Sequence, residues 1–248
     1  MVDVHAPLEG IHTWRAFFIH IATISIGLLI AIGLEQTVET LHHRHQLNEL
    51  HTSLRQDAQK AIEDSGKMVT LESRHLDWLT ARALQIRTAL DFHMPVAPPP
   101  PTGPRATADV PDSPAWKAAK SSGLLSLMPQ EEIKVYGEVD FLLNEIATTY
   151  QANRIANQKR HNFEYEYEKD GIVDLSSARP EDLRRYLTLI MDERGATEQF
   201  QHWCAEIGEV EKTILDGQLK LENIRAAEHS VSVLGQAKTP PTSGTEHP

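Results

Sequence analysis

The stretch WRAFFIHIATISIGLLIAIGLEQTVETLHHRH, residues Trp14 to His45, decides how the rest of the chain is read. From Phe17 to Leu34 its apolar run is interrupted only by His20, Thr23, Ser25 and two glycines. As a helix rising ~1.5 Å per residue it would span about 27 Å, close to the hydrocarbon thickness of a bilayer. Trp14 and Arg15 stand at its start as interface anchors, an amphipathic ring and a side chain able to snorkel toward phosphates. A cleaved export signal is the competing reading, with Ala31 and Gly33 as the small residues before Leu34. The run is longer than a signal core, however, and Arg15 is preceded by Asp3 and Glu9, so a retained transmembrane helix over 14–35 is expected. Arg15 on one side and Arg44 on the other leave the orientation rule nearly balanced.

One face of this helix carries small and polar side chains at steps of three and four: His20, Thr23, Gly27, Ala31 and then Glu35. Such a stripe lets two helix backbones approach in lipid, so His20, Thr23, Gly27 and Ala31 are the candidate helix-packing residues. A solitary anchor is the plainer alternative. His20 reads either as a neutral imidazole near the headgroups or as a protonatable contact between helices, and Glu35 as an interfacial carboxylate.

Composition bounds the remainder. A chain of 248 residues with only 6% aromatics must build its core from Leu, Ile, Val and Ala, which favours helices. The net charge of -11 includes no basic block, which argues against nucleic acid as a partner. A lone cysteine, Cys204, excludes an internal disulfide framework.

After the apolar run, Leu47, Leu50, Leu54, Ala58, Ala61, Ser65, Met68, Leu76, Leu79, Ala83, Ile86 and Leu90 follow helical spacing. A long helix over 36–93 is predicted, with Gly66 as a site for a kink and Glu72 intruding on the apolar seam. Eight of the fourteen prolines then fall between Pro95 and Pro114, so 94–114 reads as an extended linker or exposed loop. An aromatic groove on a partner would suit Pro98 to Pro101, although a plain spacer is the simpler reading.

The segment 115–234 is predicted helical. Ser113 and Pro114 open a short helix that Gly123 ends, and Pro129 with Glu131 and Glu132 opens the next. Trp116, Leu124, Leu125 and Leu127 would pack at that corner. Ile133, Tyr136, Val139, Leu143, Ile146 and Tyr150 mark one face of the second helix. FEYEYEKDG (Phe163–Gly171) alternates like a strand without a visible partner. A last long helix opens at Pro180-Glu181-Asp182 and is expected to continue through Leu221 and Ile224, with Gly195 as a bend. Residues 1–13 read as a tail, and 235–248 as a disordered one.

WRAFFIHIATISIGLLIAIGLEQTVE with the following HHRH, and AWKAAKSSGLLSLMP (Ala115–Pro129), resemble paired signatures of an uncharacterised bacterial family of single-pass membrane proteins with helical extramembrane regions. The resemblance covers those two stretches and implies a bacterial membrane protein; the expected location is the inner membrane, single-pass, with the soluble part in the periplasm. It carries no site residues over.

Motifs for catalysis are absent: no phosphate loop, no nucleophile elbow, no zinc-spaced cysteines and no H-E-x-x-H. No catalytic residue and no cofactor is therefore expected. Glu39, His42, His43 and His45 are weak metal candidates, because Glu39/His43 and His42/His45 lie one helical turn apart. A single helix supplies only two ligands to a face, so a solvated cluster is the simpler reading. The expected fold is all-α, one N-terminal transmembrane helix continuing into an elongated helical bundle or coiled-coil-like domain. The expected role is a membrane-anchored scaffold or interaction protein, its partners the lipid bilayer and a second copy or another membrane protein. The alternative is a membrane-linked sensory module that binds a small ligand or metal.

Overall fold

A computed structural model describes residues 14–101 and 109–236 of the chain. The predicted tail at 1–13 lies outside the described residues, as do 102–108 within the proline-rich segment and 237–248 of the tail predicted over 235–248, whose first two residues belong to the last helix. Among the described residues the fold is all-α apart from one very short hairpin. Helix α1 runs from Trp14 to Phe92, α2 from Pro114 to Ser122, α3 from Gln130 to Tyr165, α4 from Pro180 to Leu215 and α5 from Leu221 to Gln236. A 3-10 turn at Leu124–Leu127 links α2 to α3. The chain divides into two compact units, one ending at Glu49 and the other beginning at Leu50.

The first unit is the N-terminal part of α1. It contains an apolar stretch long enough to cross a membrane, and none of that stretch is buried by protein. Its threonine hydroxyls bond within the helix: Thr23 Oγ1 donates to the Ile19 carbonyl at 2.8 Å, and Thr37 Oγ1 to the Gly33 carbonyl at 2.7 Å. Back-bonding of this kind lets a threonine sit on an apolar helix without an orphaned donor.

The second unit has its own core. Leu50, Leu54, Ala58, Ala61, Ser65, Met68, Leu79, Ala83 and Ile86 are buried, as the apolar spacing of α1 predicts, and the helix passes through Gly66 without interruption. Cross-links give its direction against α4. His75 meets Glu193, Gln201 Nε2 donates to the Val69 carbonyl at 3.0 Å, and Gly208 faces Ser65, so the two helices are antiparallel. Asn153 with Thr197 and Arg160 with Glu193 make α3 antiparallel to α4 as well.

Helices α1 and α3 are therefore parallel, and the chain between them must travel back along α1. This corrects the reading of the proline-rich segment as a spacer. Arg82 Nη1 donates to the Ala97 carbonyl at 2.8 Å, Gln85 Nε2 to Pro98 at 3.2 Å and Trp78 Nε1 to Pro100 at 2.9 Å. Further along, Lys60 reaches Asp109 at 3.2 Å and Asp57 takes the start of α2. Between Asp57 and Arg82 the helix advances about 38 Å at ~1.5 Å per residue.

The predicted caps are in place. Ser113 Oγ accepts from the Trp116 N–H, Pro114 opens α2 and Gly123 ends it with φ 78°. Pro180, Glu181 and Asp182 open α4. The strand-like alternation of FEYEYEKDG makes no long strand, and one helix prediction fails. The alternating FEYEYEKDG is helical through Tyr165, and only Glu168–Lys169 is extended; it pairs antiparallel with Ile172–Val173. Asp170 and Gly171, at φ 53° and 79°, form the tight turn between them, the Asp-Gly pairing that two-residue hairpins favour. The final helix is also two helices. Gly217, at φ 77°, donates to the Ile214 carbonyl and Gln218 to that of Thr213, a Schellman stop that separates α4 from α5.

Candidate functional site

The residues singled out in the sequence lie on the first unit. Trp14 begins α1 and stacks on Phe17 with ring centroids 5.8 Å apart, and Arg15 beside it is exposed. His20, Thr23, Gly27 and Ala31 are exposed, and a side chain at Gly27 would meet nothing within 4 Å. Glu39 and His43 approach to 4.0 Å, while His45 turns to Glu49 at 3.2 Å. His42 is exposed. Among the described residues no three His, Cys, Asp or Glu side chains converge to hold a metal.

The second unit holds a polar network that the sequence reading did not find. Glu193 on α4 is wholly buried, and Arg160 on α3 is 3% exposed. Arg160 donates through Nε to Glu193 Oε2 and through Nη1 to Glu164 Oε2 at 2.6 Å. The other oxygen of Glu193 accepts from Asn157 at 2.6 Å and lies 2.8 Å from His75 Nε2. Because a carboxylate only accepts, that imidazole nitrogen carries a proton. Tyr186 donates its hydroxyl to Glu164, and the Arg160 guanidinium sits 4.8 Å from the centroid of the Trp78 ring. Arg82, almost fully buried, lies 5.7 Å from the Tyr186 ring centroid and reaches outward to the proline strap.

Three helices thus contribute to one chain of contacts, in which the Arg160 guanidinium faces both carboxylates and Arg82 lies over the Tyr186 ring. Burial alone would raise the Glu193 carboxyl, but the His75 hydrogen bond and the Arg160 charge outweigh it and hold the group at about 2. For Glu164 burial again opposes, and the contacts from His161 and Arg160 prevail, leaving it below its usual range. Burial, then the Glu164 charge, pushes the Tyr186 hydroxyl up to about 12. Burial and the nearby Glu72 likewise push the Cys204 thiol up to about 12. The carboxylates are therefore ionised and the phenol and thiol protonated around neutral pH. The arrangement ties helices together and presents no activated nucleophile.

The network left a trace in the spacing. Along α4 the interior positions run Tyr186, Ile190, Glu193, Thr197, Phe200, so a glutamate occupies a place that the three-and-four rhythm assigns to the core. Thr149, Asn153 and Arg160 do the same on α3. Glu72, noted as an intrusion on the α1 seam, is half-buried beside this network, and its carboxyl is raised chiefly by burial. What periodicity does not supply is which intruding groups meet.

No protein-family model, no curated protein and no solved structure matches this chain.

Proposed function

We propose that this chain is a membrane-anchored helical scaffold or interaction protein of the bacterial inner membrane, with its second unit in the periplasm and no catalytic activity. The carrying observation is the contrast between two parts of one chain. The apolar stretch of α1 is entirely unburied, whereas the helices from Leu50 onward close a core of their own. A run of that length and composition has no aqueous reason to stay exposed, and a bilayer is the partner whose thickness matches it. The resemblance of Trp14–Glu39 and Ala115–Pro129 to a bacterial family of single-pass membrane proteins supports the same reading. Within the second unit, ion pairs closed among α1, α3 and α4 suit a rigid body that presents surfaces. The exposed His20, Thr23, Gly27, Ala31 stripe supplies a face for a second copy or another membrane helix.

Alkaline carbonate extraction of native membranes, followed by intact-mass measurement, tests the anchor. Retention in the pellet at the full-length mass is expected. Recovery in the soluble fraction with a new amino terminus at Leu34 would overturn it. Crosslinking in the same membranes then separates a scaffold from a lone anchor, through reproducible links from the second unit or the stripe to one defined protein or to another copy.

A further inference from the structure

The segment that follows α1 lies on the helix as a bound peptide would. Trp78, Arg82 and Gln85, spaced by four and three, stand on one face of α1, and each gives a side-chain N–H to the segment. Trp78 Nε1 donates to the Pro100 carbonyl at 2.9 Å, Arg82 Nη1 to Ala97 at 2.8 Å and Gln85 Nε2 to Pro98 at 3.2 Å. All three bonds end on backbone carbonyls. Ala97 through Pro100 each precede a proline, which disfavours helical backbone and leaves those carbonyls open to such donors. Val96 adds an apolar anchor, packed against the core that includes Leu79, Ala83 and Ile86.

The closed arrangement is held lightly. Arg82 is 1% exposed, yet its Nε has no hydrogen-bond partner, and among the described residues no carboxylate pairs with its guanidinium. A buried cation held by carbonyl dipoles and the Tyr186 ring regains hydration once it is uncovered. The segment itself is at the surface, with Ala97 and Pro98 exposed and Pro99 and Pro100 half-buried. At its start His93 has φ 53°, a left-handed setting that strains a non-glycine residue. Beyond it the chain is fastened separately, by Lys60 to Asp109 and by Asp57 to the start of α2. Lifting the segment therefore gives up three bonds to carbonyls and breaks none between two helices.

We infer that the Trp78, Arg82, Gln85 face of α1 is a docking groove for an extended proline-rich segment of another protein, and that the chain's own residues 94–101 occupy it as a tethered stand-in. The groove offers donors, and a proline-rich backbone is the ligand that brings carbonyls without amide N–H groups needing acceptors there. Its extended form is also set beforehand, so little conformational freedom is lost on docking. The pattern Val-x-Pro-x-Pro, as in Val96–Pro100, supplies the anchor and the three carbonyls. Tethering gives the resident segment an effective concentration on the order of mM, so a free peptide competes poorly until that segment is loosened. The groove lies wholly within the second unit and stands independently of what covers the apolar stretch.

A fluorescent peptide with the sequence Met94–Pro101, titrated into the full-length chain in detergent micelles and followed by anisotropy, tests the groove. A second chain carries Val96→Ser, Pro98→Gly and Pro100→Gly, which remove the anchor and free the resident backbone. This loosened chain is expected to bind the peptide roughly tenfold more tightly than the wild type, because the tethered competitor is weakened. In the loosened chain Arg82→Met should cancel that gain, and so should Gln85→Leu, a half-buried position whose change spares the core. The same peptide with every proline replaced by glycine should bind neither chain. No binding to the loosened chain at about 1 mM peptide, equal affinity for the two chains, or affinity unchanged by Arg82→Met and Gln85→Leu would each overturn the inference.

Discussion

Arg160 and Glu193 are joined inside the helical unit, the guanidinium Nε donating to Oε2 across the α3–α4 interface, with His75, Asn157 and Trp78 closing the surround. Removing one member leaves the other charged and buried, which in comparable sites costs ~3–5 kcal/mol. Arg160→Met and Glu193→Leu are each expected to fall in that range by urea unfolding. The double variant should recover part of the loss, since Glu193 is no longer left charged, while Glu164 keeps the Tyr186 hydroxyl but still lacks Arg160. Single losses below about 1 kcal/mol would mean that water reaches the pair.

The same pair sets an acid dependence. Glu193 titrates at about 2 in the fold against an ordinary value of 4.5, so its folded pKa is depressed. Its stabilisation is present above about pH 4.5 and is lost as pH falls toward 2, amounting to something on the order of 3 kcal/mol. Unfolding free energy measured across that window should drop more steeply for the wild type than for Glu193→Gln. Parallel curves would assign the acid sensitivity to other carboxylates.

Gly208 and Ser65 set the spacing of α4 on α1. A Cβ at Gly208 would stand 3.0 Å from Ser65 Oγ, a hydroxyl already donating to the Ile62 carbonyl at 3.0 Å. Gly208→Val adds branching where the helices touch and is expected to destabilise by ~1–3 kcal/mol. Adding Ser65→Gly should return part of that loss in thermal melts. If the second change only deepens it, the contact is not the source.

On the apolar part of α1, Gly27→Leu and Ala31→Leu are expected to weaken self-association more than Leu28→Ala does. Bulk on the stripe separates backbones that must touch, whereas truncation away from it removes contacts mainly with acyl chains. An in-membrane dimerisation reporter at matched expression makes the comparison. Identical signals from all three variants would leave the helix as a simple anchor.

Much of this architecture was legible before any coordinates. The three-and-four spacing from Leu50 to Ile86 names the buried face of α1 nearly residue for residue, because a helix has only one periodicity with which to hide apolar groups. Ser113, Pro114, Gly123, Pro180 and Asp182 announce helix ends, since each satisfies or removes a terminal backbone group locally. Asp170-Gly171 and Gly217 carry the same kind of local signal. Both turns need φ above zero, which glycine adopts without strain.

By itself, then, the sequence determined the helices, most of their boundaries and the apolar stretch long enough to cross a membrane, because these follow from interactions within a few residues. Only the tertiary structure decided that Pro98 and Pro100 lie along α1, that Glu193 meets Arg160, and that Asp57 holds the start of α2. Each of those depends on the parallel setting of α1 and α3 and on α4 running against both. Residues 33 apart in the chain, as Arg160 and Glu193 are, become neighbours only when whole helices are set side by side, and local spacing carries no record of that register.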